Sequence, residues 1–126
     1  MKRRFLVIDD DPSVLQCIAA ALRDVIDADI ELAANGRDGI ARLRDGTFDV
    51  VFTDLILPDT TGEVVVEVAR ELCPNTPVVM VTGVPEYLPT SDVWPDFILA
   101  KPFRLEALSK VLQDALARAA KTSTAA

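Results

Sequence analysis

The stretch FDVVFTDLILPD, residues 48–59, constrains this chain more than any other. Val50, Val51 and Phe52 form a short β-branched and aromatic run, the kind that suits a strand covered on both faces. Pro58 has no N–H to give to a sheet, so the chain must turn there. Thr60, Thr61 and Gly62 then open a helical pattern. Asp54 therefore sits where a buried parallel strand ends, which is where open α/β sheets collect ligands and chemistry.

The other elements follow from periodicity and punctuation. Residues 3–9 read as a first strand, and Asp11-Pro12-Ser13 opens a helix with an acceptor side chain and a first-turn proline. Val14, Leu15, Ile18, Ala19, Leu22 and Val25 recur at three- and four-residue spacing, an apolar stripe. Asp27, Ala28 and Asp29 read as a loop, residues 30–34 as an edge strand, Asn35-Gly36 as a turn, and residues 37–45 as a short helix closed by Gly46. A third helix is expected over residues 62–72, with Val65, Val68, Ala69 and Leu72 inward, stopped at Cys73-Pro74. Residues 78–81 form a fourth strand ending at Thr82-Gly83. Pro85, Pro89 and Pro95 then exclude a long regular helix and allow a single turn around Glu86, Tyr87 and Leu88. Residues 97–100 are a fifth strand. After Lys101-Pro102 comes an amphipathic helix carrying Leu105, Leu108, Val111, Leu112, Ala115 and Leu116. Domain organisation is expected to be one domain over residues 1–120 and a flexible tail over 121–126.

Alternation of strands and helices makes this an α/β chain: a single doubly wound five-stranded parallel sheet, with its fourth helix short or irregular. Right-handed crossovers point to the flavodoxin-like order 2-1-3-4-5. In that order Asp9 and Asp10, Asp54, Thr82 and Lys101 end neighbouring strands at one edge of the sheet. Two carboxylates about 4 Å apart repel by roughly 4 kcal/mol at an effective dielectric near 20. A proton or a cation between them relieves that cost, and Mg²⁺ with oxygen ligands is the simplest cation. The set suits attachment of a phosphoryl group to a carboxylate. Asp54 is the candidate nucleophile, Asp9 and Asp10 the metal-binding neighbours, Lys101 a fixed cation and Thr82 a hydroxyl donor. Three carboxylates against Mg²⁺ and one lysine are close to neutral, so a phosphoryl dianion can enter. Asp11 reads as a helix cap rather than a ligand.

Composition narrows the classes. The formal charge of -7 argues against direct nucleic-acid binding. No apolar run approaches the ~20 residues of a membrane span, so membrane insertion is not expected. The basic start and residues 5–8 are cut too short by Asp9 to serve as a signal peptide, and a cytoplasmic protein is expected. Cys17 and Cys73 are expected to be buried, reduced thiols. The absence of histidine removes His-based triads, His metal sites and any role as a phosphohistidine donor.

FLVIDDDP at 5–12, FDVVFTDLILPDTTG at 48–62, PVVMVTG at 77–83 and ILAKPF at 98–103 lie in order and at family-like spacing. Together they resemble the response-regulator receiver domain of two-component signalling, as in chemotaxis regulators, over residues 2–118. The resemblance implies that Asp54 is the phosphoacceptor, Asp10 a direct Mg²⁺ ligand and Asp9 its acidic partner acting through water. It implies metal binding by the Ile56 backbone carbonyl and phosphoryl contacts from Thr82, Gly83 and Lys101. It further implies a cis Lys101–Pro102 bond, a donor phosphohistidine on a sensor histidine kinase or histidine phosphotransfer protein, and an output partner whose affinity changes. Such a domain catalyses only its own phosphorylation and dephosphorylation and is not otherwise an enzyme.

Two features depart from the family. It usually has Tyr or Phe three residues before the lysine; here that position is Ile98, with Phe97 one residue early and thus expected on the other face. The proline-rich segment also erodes the fourth helix, where Tyr87 and Trp94 are either packing residues or a partner-binding patch. Ile56 and Val84 flank the path of a hydrolytic water by family position, and neither side chain can orient it. Two competing readings are a pseudo-receiver that binds partners without phosphorylation and an aspartate-dependent phosphatase with Asp9 as nucleophile.

Overall fold

In the computed structural model, which describes residues 2–86 and 92–125 and side chains through residue 120, five strands alternate with four helices. They are β1 (Arg3–Ile8), α1 (Pro12–Val25), β2 (Ala28–Ala33), α2 (Gly36–Asp45), β3 (Val50–Asp54), α3 (Gly62–Leu72), β4 (Val78–Thr82), β5 (Phe97–Ala100) and α4 (Leu105–Ala125). The sheet is parallel throughout, in the expected order β2-β1-β3-β4-β5.

Helices cover both faces. Leu15, Ile18 and Leu22 of α1 and Leu108, Leu112 and Ala115 of α4 pack on Phe5, Val7, Val50, Phe52, Val79, Val81 and Leu99. Leu43 of α2 and Val65, Val66 and Ala69 of α3 pack on Leu6, Ile8, Val51, Val78 and Met80. Consecutive strand residues thus feed opposite faces, as the pleat demands. Coverage on both sides explains why β1, β3 and β4 read as unbroken apolar runs. Phe97 and Ile98 obey the same rule: Phe97 joins the α1/α4 face with Arg118 4.6 Å above its ring, and Ile98 joins the α2/α3 face.

Several expectations need correction. β2 begins at Ala28, because its first residues pair with Arg3 and Arg4 where a loop was expected. An edge strand tolerates those polar residues, since one side stays open to water. Asn35 is the N-cap of α2. On α3 the buried positions include Val66, whereas Leu72 in the last turn is half exposed, as is Leu105 at the start of α4. Cys17 is exposed, since it falls between the inward positions Leu15 and Ile18, and Cys73 is only partly buried at the end of α3; both thiols are free.

Among the described residues no helix lies between β4 and β5. Tyr87 and Leu88 of the expected single turn fall outside the described residues. Trp94 is exposed, and Val93 packs against the α2/α3 face. Asp96 fastens this end of the molecule. One of its oxygens accepts from the Val78 N–H at 2.7 Å and from Arg70 of α3 at 2.8 Å; the other accepts from Arg118 of α4 at 3.0 Å. Charge-assisted bonds at a carboxylate only 15% exposed are worth far more than exposed pairs. Asp96→Ala is expected to lower the unfolding free energy by about 2–4 kcal/mol in urea titrations. Asp114→Ala, which breaks only the exposed pair with Lys110, should cost under about 0.5 kcal/mol.

Candidate functional site

Register decides where the functional side chains meet. Ile8 pairs with Thr53, Asp54 with Val81, and Thr82 with Ala100. Asp9, Asp54, Thr82 and Lys101 therefore emerge at one edge of the sheet, at the carboxyl ends of adjacent strands. Carboxylate oxygens of Asp9, Asp10 and Asp54 all lie within 4.8 Å of one another. The Lys101 ammonium bridges two of them, at 2.8 Å from Asp9 Oδ2 and 3.2 Å from Asp54 Oδ2.

Backbone donors hold the remaining oxygens. Asp9 is 1% exposed, and its Oδ1 accepts from the Asp11 N–H at 2.9 Å. Asp54 Oδ1 accepts from the Leu55 N–H at 2.7 Å, with the side chain 14% exposed. Asp10 is the exposed member of the three. Asp11 caps α1, its Oδ1 accepting from the Ser13 N–H at 2.8 Å. Thr82 is buried, and its Oγ1 accepts from the Val84 N–H at 3.0 Å. That bond uses a lone pair and leaves the O–H to donate. A side chain at Gly83 would meet open space. The Lys101–Pro102 bond is cis.

The loop after β3 is a closed hairpin. Gly62 N–H donates to Leu55 O at 2.7 Å and Leu57 N–H to Thr60 O at 3.2 Å, around an Ile56–Thr61 bridge. Those bonds leave the Ile56 carbonyl out of the ladder. A Cβ on Gly62 would stand 2.3 Å from Asp54 O and 2.7 Å from Met80 Sδ, so only glycine lets α3 start this close to the end of β3.

Electrostatics leave the pocket short of positive charge. Burial pushes the Asp54 carboxyl above its usual range, the Lys101 charge and hydrogen bond offset part of this, and the Asp9 charge adds to it. For Lys101, burial acts downward, but the Asp9 hydrogen bond and the charges of Asp54 and Asp9 outweigh it, and its affinity for the proton is raised. One ammonium against three carboxylates leaves room for two more positive charges. A hard oxygen donor set of this charge fits a small divalent cation.

Of the residues that the sequence marks, the structure brings Asp9, Asp10, Asp54 and Lys101 together, and Thr82 ends the adjacent strand. Ile98 sits one strand position before Leu99 on the α2/α3 face. Asp59 went unmarked. Its two oxygens accept from the Gly36 and Arg37 N–H groups at the start of α2, each at 2.9 Å. Its partners lie 22 and 23 residues earlier, and no local signal announces them.

This carboxylate and ammonium pocket lies at the carboxyl edge of a doubly wound parallel sheet, where such folds collect ligands. Residues 5–113 match the family model of the response regulator receiver domain, and the chain belongs to that family. It is similar to the transcriptional regulatory protein DltR of Streptococcus agalactiae, with 31% identity over 108 residues, 83% of this chain and 48% of DltR. The chain thus spans about half the length of that curated relative. A CheY-like receiver domain protein of Methanospirillum hungatei superposes with TM-score 0.87 at 26% identity, covering 97% of this chain and 99% of that one. The response regulator TrrA of Thermotoga maritima, solved in complex with Mg(2+)-BeF, gives TM-score 0.83 at 25% identity, covering 92% and 100%. The chain is a receiver domain of the two-component response-regulator kind, and its acidic cluster fits a phosphorylation site. Among the described residues no helix is long and apolar enough to cross a membrane.

Because the folded Asp54 carboxyl is raised, folding favours its protonated form. The charged form therefore subtracts stability above that raised value, and the loss disappears below the ordinary carboxyl range. Asp54→Asn is expected to melt at a higher temperature than the natural chain at neutral pH with a metal chelator present. The gap should close as pH falls to about 3–4. Thermal unfolding followed by circular dichroism across pH checks this.

Proposed function

We propose that Asp54 is the phosphoacceptor of this domain in a two-component phosphorelay. The observation that carries the reading is the Lys101 ammonium held between Asp9 and Asp54, with the Asp10 carboxylate beside them. Asp10 and Asp54 directly, Asp9 through water and the Ile56 carbonyl would hold Mg²⁺. When bound, the ion supplies charge neutralisation for the carboxylates and for phosphoryl oxygens.

The chain's own residues divide the remaining work. Lys101 already aligns Asp54 Oδ2 and presents its ammonium to an incoming phosphoryl oxygen. The Thr82 hydroxyl and the Gly83 N–H supply donors from the next strand end. An Asp54 oxygen attacks phosphorus on a partner's phosphohistidine already protonated on its other ring nitrogen; the O–P bond forms, the P–N bond breaks, and neutral imidazole leaves keeping that proton. The partner is a sensor histidine kinase or a histidine phosphotransfer protein, since this chain has no histidine. Phosphorylation then shifts the loops after β3, β4 and β5 between two states and changes affinity for an output partner, in the cytoplasm. The acidic composition supports an output partner other than nucleic acid.

Asp9 is a poor nucleophile here, because its side chain is only 2% exposed, against 14% for Asp54. Incubation with Mg²⁺ and acetyl phosphate, read by intact-protein mass spectrometry, is expected to add one phosphoryl group to the natural chain and none to Asp54→Asn. No adduct on the natural chain would favour a pseudo-receiver. Loss of the adduct in Asp9→Asn with retention in Asp54→Asn would favour the phosphatase reading.

Self-dephosphorylation is expected to be slow, since Ile56 and Val84 are exposed at the rim and carry no group to orient water. Ile56→Asn should speed the loss of label severalfold in Mg²⁺ without a phosphatase. An unchanged decay would contradict this.

A further inference from the structure

We infer that Asp59 is a positioning residue for the metal site, mooring the tip of the β3–α3 loop to α2 so that the Ile56 carbonyl keeps its place relative to Asp10. The inference rests on the proposed reading of the acidic pocket and extends it to a residue outside that pocket.

The structural case starts at the first turn of α2. A helix leaves its first N–H groups without internal partners. Here Asn35 serves its own helix, taking the Asp38 N–H on Oδ1 at 2.8 Å and the Gly39 N–H on its carbonyl at 3.1 Å. Gly36 and Arg37 instead donate to the two oxygens of Asp59, across 23 and 22 residues of chain. These two bonds also hold the Asp59 carboxyl below its usual range. Close approach is built in, since a Cβ on Gly36 would lie 2.2 Å from Thr60 Cγ2.

Both ends of the mooring are packed or hydrogen-bonded. Leu57 is buried in the α2/α3 face, and the loop is closed at its base by the Gly62–Leu55 bond. On the other side α2 is pressed onto β1: a Cβ on Gly39 would come 2.4 Å from Ile8 Cδ1. Ile8 directly precedes Asp9 and Asp10. A continuous path therefore runs from the loop tip through α2 to the strand that carries the acidic pair. The Asp59 bonds add a polar tie to α2 beside the packing of Leu57 and Thr60.

The test is calorimetric titration of Mg²⁺ into the full chain at 0.15 M salt, with thermal unfolding of the same samples. Asp59→Asn is expected to weaken Mg²⁺ binding about tenfold, as loss of an outer-shell support does. Asn35→Ala removes the other acceptor at the same helix end and should lower thermal stability while leaving Mg²⁺ affinity unchanged. Asp38→Asn removes a charge from the same helical turn and should change affinity by less than about twofold under this screening. Unchanged Mg²⁺ affinity in Asp59→Asn overturns the inference, and so does a loss in Asp38→Asn equal to that in Asp59→Asn. If the natural chain binds no Mg²⁺, or Asp10→Asn binds it equally well, the reading of the pocket has failed and the inference falls with it.

Discussion

One ammonium group between two carboxylates organises the business end of this molecule. Lys101 comes from the end of β5, Asp9 from the end of β1 and Asp54 from the end of β3. No local segment could assemble them; only the parallel register of four strands does so. Like charges this close would cost roughly 4 kcal/mol a pair at 4 Å and an effective dielectric near 20. The protein offsets part of that with the Asp11 and Leu55 N–H groups and with Lys101 itself. Burial still leaves Asp54 raised, which means the compensation is incomplete. The unfinished charge balance leaves a pocket that could hold an additional cation.

The scaffold keeps stability and chemistry at opposite ends of the sheet. Phe5, Phe52, Val50, Val78 and Met80 have no exposed surface, and the two helical layers seal both faces. At the amino ends of β4 and β5, Asp96 gathers Arg70, Arg118 and the Val78 N–H into a compensated cluster. At the carboxyl ends the charges are left unbalanced. The well-packed sheet carries the stability, so the site itself need not be charge-balanced.

The sequence was legible wherever a residue's role depends on its immediate neighbours or on strand period. Buried runs marked β1, β3 and β4, proline and glycine marked the turns, and strand-ending carboxylates marked the pocket once the strand order was set. It was less legible where the reason is tertiary. Ala28 and Asp29 look like a loop until β1 offers them partners. Cys17 looks like core until the helix phase places it outside the Leu15–Ile18 stripe. Val66 and Leu72 exchange their expected environments on α3 for similar reasons. Asp59 was invisible because its partners belong to another element. Gly36 and Gly62 read as ordinary turn and helix-start glycines, yet each makes room for a specific backbone or side-chain atom of the β3–α3 region.

The departure at position 98 bears on how a signal leaves the pocket. A phenyl ring one residue early is no substitute, because Phe97 is committed to the α1/α4 face under Arg118. Ile98 occupies the α2/α3 face with a side chain that has no polar group to answer Thr82. Thr82 is instead tied to the turn that follows it, its Oγ1 accepting from the Val84 N–H, and the Lys101 N–H donates to the Thr82 carbonyl at 2.8 Å. A phosphoryl group that drew on the Thr82 hydroxyl would therefore act first on the backbone of residues 82–84 and on the strand end bearing Lys101. Val84 is already exposed, so a change in that turn is presented directly at the surface. Thr82 thus joins two adjacent strand ends, its hydroxyl oxygen accepting from the Val84 N–H and its carbonyl from the Lys101 N–H.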